Sequence, residues 1–305
     1  MPLTLSLLGS DHRRYRPARR ADVLQHARRR SDSRPGRMRS GPIPRLFRRC
    51  RLRFLACAPA ATGGDERQPR RIGGSRGQPT ARAWQLFEPD ERRIEVFRTD
   101  IDDFYNLEVR FPEMSDAYRR ARGYHIGHGT LADMVELMAN LRAVNQNAVV
   151  VWEPTPLQHV NDAVSFRAIF AQVDAFSPDV SESLAITGQS ETEAAIHTLL
   201  DWGAKIVALR MGARGSRLYT PEGETISIPA APASVVDTTG GGNAYLGGLL
   251  VALADGDSVA DAGAKAAVSA SFAIEQFGVP TFDERLFAEA ETRLAWVKAH
   301  RAVIA

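Results

Sequence analysis

Lysine is almost missing from this chain of 305 residues: Lys205, Lys265 and Lys298 are the only three, and arginine carries the rest of the positive charge. Cysteine is as scarce. Cys50 and Cys57 stand alone, too few for a disulfide framework, and the six residues between them match no zinc-ligand spacing. No stretch reaches the roughly 18 consecutive apolar residues of a membrane-crossing helix, which excludes that class. With no sign of an oxidising compartment, a cytoplasmic protein is expected. What is present is a globular composition, 44% hydrophobic and 25% charged. The length suits one large domain or two ordinary ones.

The charge is unevenly spread. Residues 1–78 hold 20 Arg, no Lys and five acidic residues, a net of +15, whereas residues 79–305 hold 19 basic and 31 acidic residues, a net of −12. Clusters such as Arg28-Arg29-Arg30 and Arg48-Arg49 lie among Pro, Gly and Ser without a helical or strand period. Self-repulsion and few apolar residues predict disorder for 1–78. Three origins remain open for this segment. It is a nucleic-acid tether that neutralises phosphates, a mitochondrial transit peptide, or a gene-model artefact in which a GC-rich message is read through an intron or a shifted frame.

From Trp84 onward the pattern becomes regular. Leu131, Met134, Val135, Met138 and Leu141 recur at helical spacing, which predicts a helix over Thr130–Val144 with Thr130 as its N-cap. The near-continuous apolar run Asn147–Glu153 reads as a strand buried on both faces. Further helices are expected over Asp162–Val173, Ser190–Trp202, Asn243–Leu253, Ser258–Phe277 and Asp283–His300. Strands are expected at Asp174–Ser177 and Lys205–Arg210, with a hairpin of Arg217–Tyr219 and Thr225–Ile228. Alternating strands and helices define an α/β fold, a parallel sheet with helices on both faces.

The segment Asp237-Thr238-Thr239-Gly240-Gly241-Gly242-Asn243 opens an apolar helix. Three glycines there let an anion approach backbone N–H groups at the positive end of a helix. No Gly-Lys-Ser or Gly-Lys-Thr follows, so it is not a P-loop. The segment resembles the Asp-Thr-x-Gly-Ala-Gly-Asp signature of the ribokinase/pfkB family of carbohydrate kinases, with Gly241 for Ala and Asn243 for the final Asp. Two more segments follow the family's order. Ser177-Pro178-Asp179-Val180-Ser181-Glu182 is similar to its Pro-Asn-x-x-Glu motif, and Leu209–Ser216, with Arg210, Gly212 and Gly215, is similar to the glycine turn of its nucleotide site. Gly278-Val279-Pro280 fits the turn near the adenine. The Gly-Gly-Gly-Asn ending and Thr80–Phe87 resemble the fungal maintenance-of-killer branch of the family.

The resemblance covers residues 79–305 and implies a ribokinase-like sheet, ATP and Mg²⁺ as cofactors, and phosphoryl transfer to a sugar or sugar-like alcohol. It implies that Gly240, Gly241 and Gly242 form the anion hole, and that Asp237, Thr238, Arg210, Gly212, Gly215 and Asp179 lie on the nucleotide side, with Asp237 at the end of the preceding strand, where it holds the turn or faces the metal region. Glu182 is implied to organise Mg²⁺ through water. The first strand and glycine-rich segment that supply the family's sugar site are not recognisable in residues 1–78, so that part of the fold is expected to be missing or replaced. In the family the Asp at position 243 is the general base. A side-chain amide accepts no proton at neutral pH, and loss of a positioned base costs about 10²–10⁴-fold. A slow kinase is expected, or else a pseudokinase-like protein that binds nucleotide in a structural or regulatory role, as the fungal branch's link to a double-stranded RNA viral particle suggests, or a truncated gene product.

Other clusters read as bland. His125 and His128 make a weak metal pair and fit better as substrate or lid contacts, in a stretch that follows a strand and opens a helix. His159, His197 and His300 look like surface residues, and Asp100, Asp102 and Asp103 a solvated loop. Phe166, Phe170, Phe272 and Phe277 are core candidates.

Overall fold

The computed structural model describes residues 83–87, 93–98, 110–114, 116–127, 130–154, 162–278, 280 and 283–304. The readings made for residues 1–78, Asp100, Asp102, Asp103, His128, His159 and Val279 lie outside them. The described residues fall into two units, one holding residues 83–98 and the other residues 110–304. Of the first, an antiparallel hairpin is described, β1 (Ala83–Phe87) and β2 (Arg93–Phe97), with Ala83 opposite Phe97.

The second unit is a seven-stranded sheet in sequence order, β3 (Gly123–Ile126), β4 (Val149–Trp152), β5 (Ala175–Phe176), β6 (Val207–Arg210), β7 (Ser216–Tyr219), β8 (Thr225–Ile228) and β9 (Ala302–Ile304). Strands β3 to β6 are parallel; β7 to β9 continue the sheet antiparallel. The expected α/β sheet is therefore present, its second half built on the expected hairpin. Helices α1 (Asp116–Arg119), α2 (Leu131–Val144), α3 (Ala163–Phe170), α4 (Val180–Thr187) and α5 (Thr192–Asp201) accompany the parallel strands, and α6 (Gly241–Ala254), α7 (Val259–Ala273) and α8 (Glu284–His300) follow β8. No helix among the described residues is long and apolar enough to cross a membrane.

Side-chain alternation along the strands sorts the core into two layers. Tyr124, Ile126, Val150, Trp152, Phe176, Val207 and Leu209 pack with the buried faces of α2, α3, α4 and α5. There Trp152 packs at a tilt against Phe166, Phe170 and Phe176 at ring-centroid distances of 5.1, 5.7 and 4.7 Å. The intervening positions, Val151, Ala175 and Ala208, face α6 and α7. They are small, and Gly123 on the same face is smaller still: a Cβ there would meet Leu250 of α6 at 2.8 Å. Helix α6 thus lies close on the sheet because the strands offer it no bulk. Gly248 repeats the device on its other side, where a Cβ would meet Ser269 at 2.9 Å and the backbone of Ala266 at 3.0 Å.

Helix starts follow capping chemistry. Thr130 Oγ1 accepts from the N–H of Asp133 as expected, and Asp162, Ser258 and Asp283 cap α3, α7 and α8 likewise. Several sequence expectations need correction. Tyr124-His125 belongs to β3 rather than following a strand; all four residues of β3 are buried, and polar His125 breaks the apolar run that would have marked it. Helix α4 buries polar Ser183 and Thr187 beside Ile186, so no apolar period marks it, and the edge strand β9 is too short, at three residues, for one to show. Phe277 is 73% exposed rather than core, since α7 ends at Ala273 and the chain turns outward; Phe166, Phe170 and Phe272 are buried. His197 and His300 are exposed as expected.

Candidate functional site

The glycine segment opens α6. Gly240 is the N-cap, in the left-handed region at φ 86°, a conformation that glycine adopts without Cβ strain. The N–H of Gly241 turns back to the carbonyl of Thr238 at 3.2 Å, and the helical ladder begins with Ala244 N–H to Gly240 O at 2.9 Å. The N–H groups of Gly242 and Asn243 fall between these two bonds, at the positive end of the helix. The donors set out for an anion are thus those of Gly242 and Asn243; Gly241 spends its own inside the turn. Its lack of a side chain has another use, because a Cβ there would meet Ile274 at 2.8 Å.

Asp237 does not end a strand, as the sequence suggested. Strand β8 stops at Ile228 and the chain runs irregularly to Gly240. Asp237 is 8% exposed; its Oδ1 accepts from Thr239 N–H at 2.7 Å, while the N–H groups of Val236 and Asp237 both donate to Ile274 O. The aspartate holds the approach to the turn.

Under the turn lies a chain of charges. Arg210, the last residue of β6, donates from Nη1 to Glu153 Oε1 at 2.8 Å and from Nη2 to Glu182 Oε2 at 3.0 Å. Glu153, just beyond β4, also meets His125 Nε2 through Oε2 at 3.2 Å. A Cβ at 242 would collide with the Arg210 guanidinium and stand 3.7 Å from Glu153 Oε1. Glycine at 242 lets the helix start come down onto this group without moving the guanidinium. Tyr245, one turn into α6, anchors it further: its hydroxyl donates to Ser216 Oγ at 2.9 Å, and burial pushes the phenol up to about 12.

Asp179 and Glu182 form a capping box at the start of α4. Asp179 Oδ1 accepts from Glu182 N–H at 2.8 Å, and Glu182 Oε2 accepts from Asp179 N–H at 2.7 Å. Desolvation raises the Glu182 carboxyl to about 7, against the pull of Arg210, and the neighbouring carboxylates Asp179 and Glu153 push the same way. Three carboxylates lie around one guanidinium, but among the described residues no three His, Cys, Asp or Glu side chains are placed to hold a metal ion directly, so a magnesium ion here would be held through water. Gly212 (φ 59°) and Gly215 (φ 82°) shape the turn after β6, where Met211 N–H donates to Gly215 O at 2.9 Å.

The structure therefore brings Gly242, Arg210, Glu182 and Asp179 to one edge, the C-terminal ends of the parallel strands, where open α/β sheets bind ligands. Asp237 and Thr238 shape the loop into the glycine turn, and Gly212 and Gly215 the turn after β6. Sequence reasoning missed Glu153. A single carboxylate at the end of the apolar run Val149–Trp152 was the available signal, since such a run delivers its next residue to the strand end.

This fold and this glycine turn are those of a kinase family, and the chain belongs to it: the pfkB family of carbohydrate kinases matches residues 72–284. Among proteins it is similar to, cytidine kinase of Thermococcus kodakarensis is 30% identical over 151 residues, 49% of this chain and 52% of that protein. A 5-dehydro-2-deoxygluconokinase of Listeria monocytogenes is 29% identical over 224 residues, 68% of each. Protein MAK32 of Saccharomyces cerevisiae is 32% identical over 157 residues, 44% of this chain and 43% of that one, which supports the likeness to the fungal branch. The chain thus spans about half the length of the cytidine kinase and two thirds of the gluconokinase. The fold is that of Arabidopsis thaliana ribokinase complexed with ribose and ATP, with a TM-score of 0.52, 19% identity and 70% of each chain covered. A Burkholderia thailandensis nucleoside kinase in complex with inosine gives a TM-score of 0.55 at 20% identity, over 73% of this chain and 70% of that one.

Proposed function

We propose that this protein binds ATP at the start of α6 and transfers its terminal phosphoryl group to an alcohol of a sugar or nucleoside. The observation that carries the reading is the Gly242–Asn243 pair of N–H groups, set at a helix N-terminus above the Glu182–Arg210–Glu153 network. Phosphoryl transfer asks mainly for positioning and charge stabilisation, and fixed backbone donors supply both. Gly240, Gly241 and Gly242 shape the anion hole, Arg210 and the Gly212–Gly215 turn border the nucleotide, and Asp179 fixes Glu182 by capping. Magnesium, when bound with the nucleotide, neutralises phosphate charge; Glu182 orders its water shell. Kinase relatives named for a nucleoside and for a sugar acid, and a ribokinase of the same fold with ribose and ATP, support an alcohol acceptor.

Position 243 contributes no base in this chain, which favours slow turnover and gives weight to a second reading, a nucleotide-binding regulatory protein without transfer. We place the protein in the cytoplasm, with residues 1–78 as its only segment suited to nucleic acid. The test is thermal unfolding of the full chain with and without Mg-ATP, since binding to the native state raises the midpoint by mass action. A midpoint that rises with Mg-ATP supports the site; one that stays put refutes it.

A further inference from the structure

We propose that Glu153, oriented by His125 and Arg210, takes the proton from the acceptor hydroxyl in place of residue 243. The inference rests on the kinase reading above and gives Glu153 a part in the transfer step beyond its pairing with Arg210. Strand alternation carries it. Gly123, Val151 and Ala208 face α6, so the residues two further on, His125, Glu153 and Arg210, come up on that same face at the strand ends. An imidazole, a carboxylate and a guanidinium thus form one row beneath the helix start, with the carboxylate in the middle.

Glu153 is held from both sides, by Arg210 at 2.8 Å and by His125 at 3.2 Å. His125 is 4% exposed, and its Nδ1 is buried without a hydrogen-bond partner among the described residues. The one side-chain bond that its ring makes there goes to Glu153. Glu153 Oε1 stands 3.7 Å from the Cβ position of residue 242, beside the residue that precedes Asn243. A carboxylate absent from the helix start is thus supplied from the sheet below it. In the step, the acceptor oxygen bonds to the γ-phosphorus and the bond from that phosphorus to the β-phosphate oxygen breaks. The hydroxyl proton passes to Glu153, and the nucleoside diphosphate leaves.

The competing role is that Glu153 only braces Arg210. The two separate in the full chain when ADP release from Mg-ATP is followed with a panel of pentoses, hexoses and nucleosides as acceptors. Glu153→Gln keeps the Mg-ATP rise in unfolding midpoint but lowers ADP release about 10²–10⁴-fold. Adding Asn243→Asp to it regains about tenfold or more, whereas Asn243→Asp alone adds only about threefold, because the two carboxylates act at one step and are not additive. Undiminished release by Glu153→Gln overturns the proposal, as does a loss that Asn243→Asp fails to recover. An unchanged chain that binds Mg-ATP without releasing ADP overturns it while sparing nucleotide binding; no response to Mg-ATP overturns the kinase reading as well. If Glu153→Gln fails to fold, Glu153→Asp decides: it keeps the charge opposite Arg210 and withdraws the carboxylate by one methylene. A loss of about tenfold or more supports the proposal, and full activity contradicts it.

Discussion

The two ends of the parallel strands each carry an arginine with carboxylates, and they use it differently. At the N-terminal ends, Arg142 donates to the carbonyls of Gln172, Gln146 and Ala148 and pairs with Asp174 at 3.0 Å. Asp174 in turn accepts from Val150 N–H at 2.8 Å and meets Lys205 at 3.2 Å. These groups line an open cavity of about 290 Å³, yet their charges go to backbone groups that would otherwise lie unsatisfied. At the C-terminal ends, the side-chain bonds of Arg210 go to carboxylates, and its Nε is buried with no partner among the described residues. One end ties the chain together. The other holds desolvated charge against a helix start, an arrangement that costs stability and suits a ligand that completes it.

The largest effect expected from this contrast is at Arg210. Arg210→Met leaves two partly buried carboxylates without their cation and destabilises the fold by up to about 3–5 kcal/mol, read by denaturant unfolding, and removes the response to Mg-ATP. Arg142→Ala, in contrast, costs about 1–3 kcal/mol through its lost carbonyl bonds and leaves the rise in midpoint with Mg-ATP unchanged. A lost response in Arg142→Ala would erase the distinction between the two ends.

A smaller effect sharpens the comparison through pH. Burial raises the Glu182 carboxyl from 4.5 to about 7, so between these values the folded state holds more protons than the unfolded one. The stability contributed by this group is full below pH 4.5 and is lost as pH rises through 7. In metal-free buffer, Glu182→Gln removes that part of the decline in unfolding midpoint. An unchanged slope in Glu182→Gln would show that the carboxyl is not desolvated. The smallest effect belongs to Lys205, half exposed in its pair with Asp174: Lys205→Ala shifts stability by about 1 kcal/mol or less, with no change in nucleotide response.

Much of this was legible in the residues. The apolar period of Leu131–Leu141 and the cap at Thr130 announced α2, and the run Val149–Trp152 announced a buried strand. The three glycines before an apolar helix marked the site. What stayed hidden depends on three-dimensional neighbours. Nothing local says that Gly242 is glycine because Arg210 lies against it, or that His125 and Glu153 meet across β3 and β4. Asp237 was expected at a strand end because motif order was read as strand order; the chain instead leaves the sheet at Ile228 and is pinned to Ile274. Phe277 was read as core because the helix was expected to run to it, but α7 ends at Ala273.

The measurement closest to the central claim is calorimetric titration of Mg-ATP into the full chain beside its Gly242→Ala variant. A Cβ at 242 would collide with Arg210 Nη1, so the guanidinium or the helix start that carries the two N–H donors must shift. The account predicts saturable binding by the unchanged chain and a loss of about tenfold or more in Gly242→Ala, the size of one charge-assisted contact. Equal binding by both chains, or none by the unchanged chain, would contradict it.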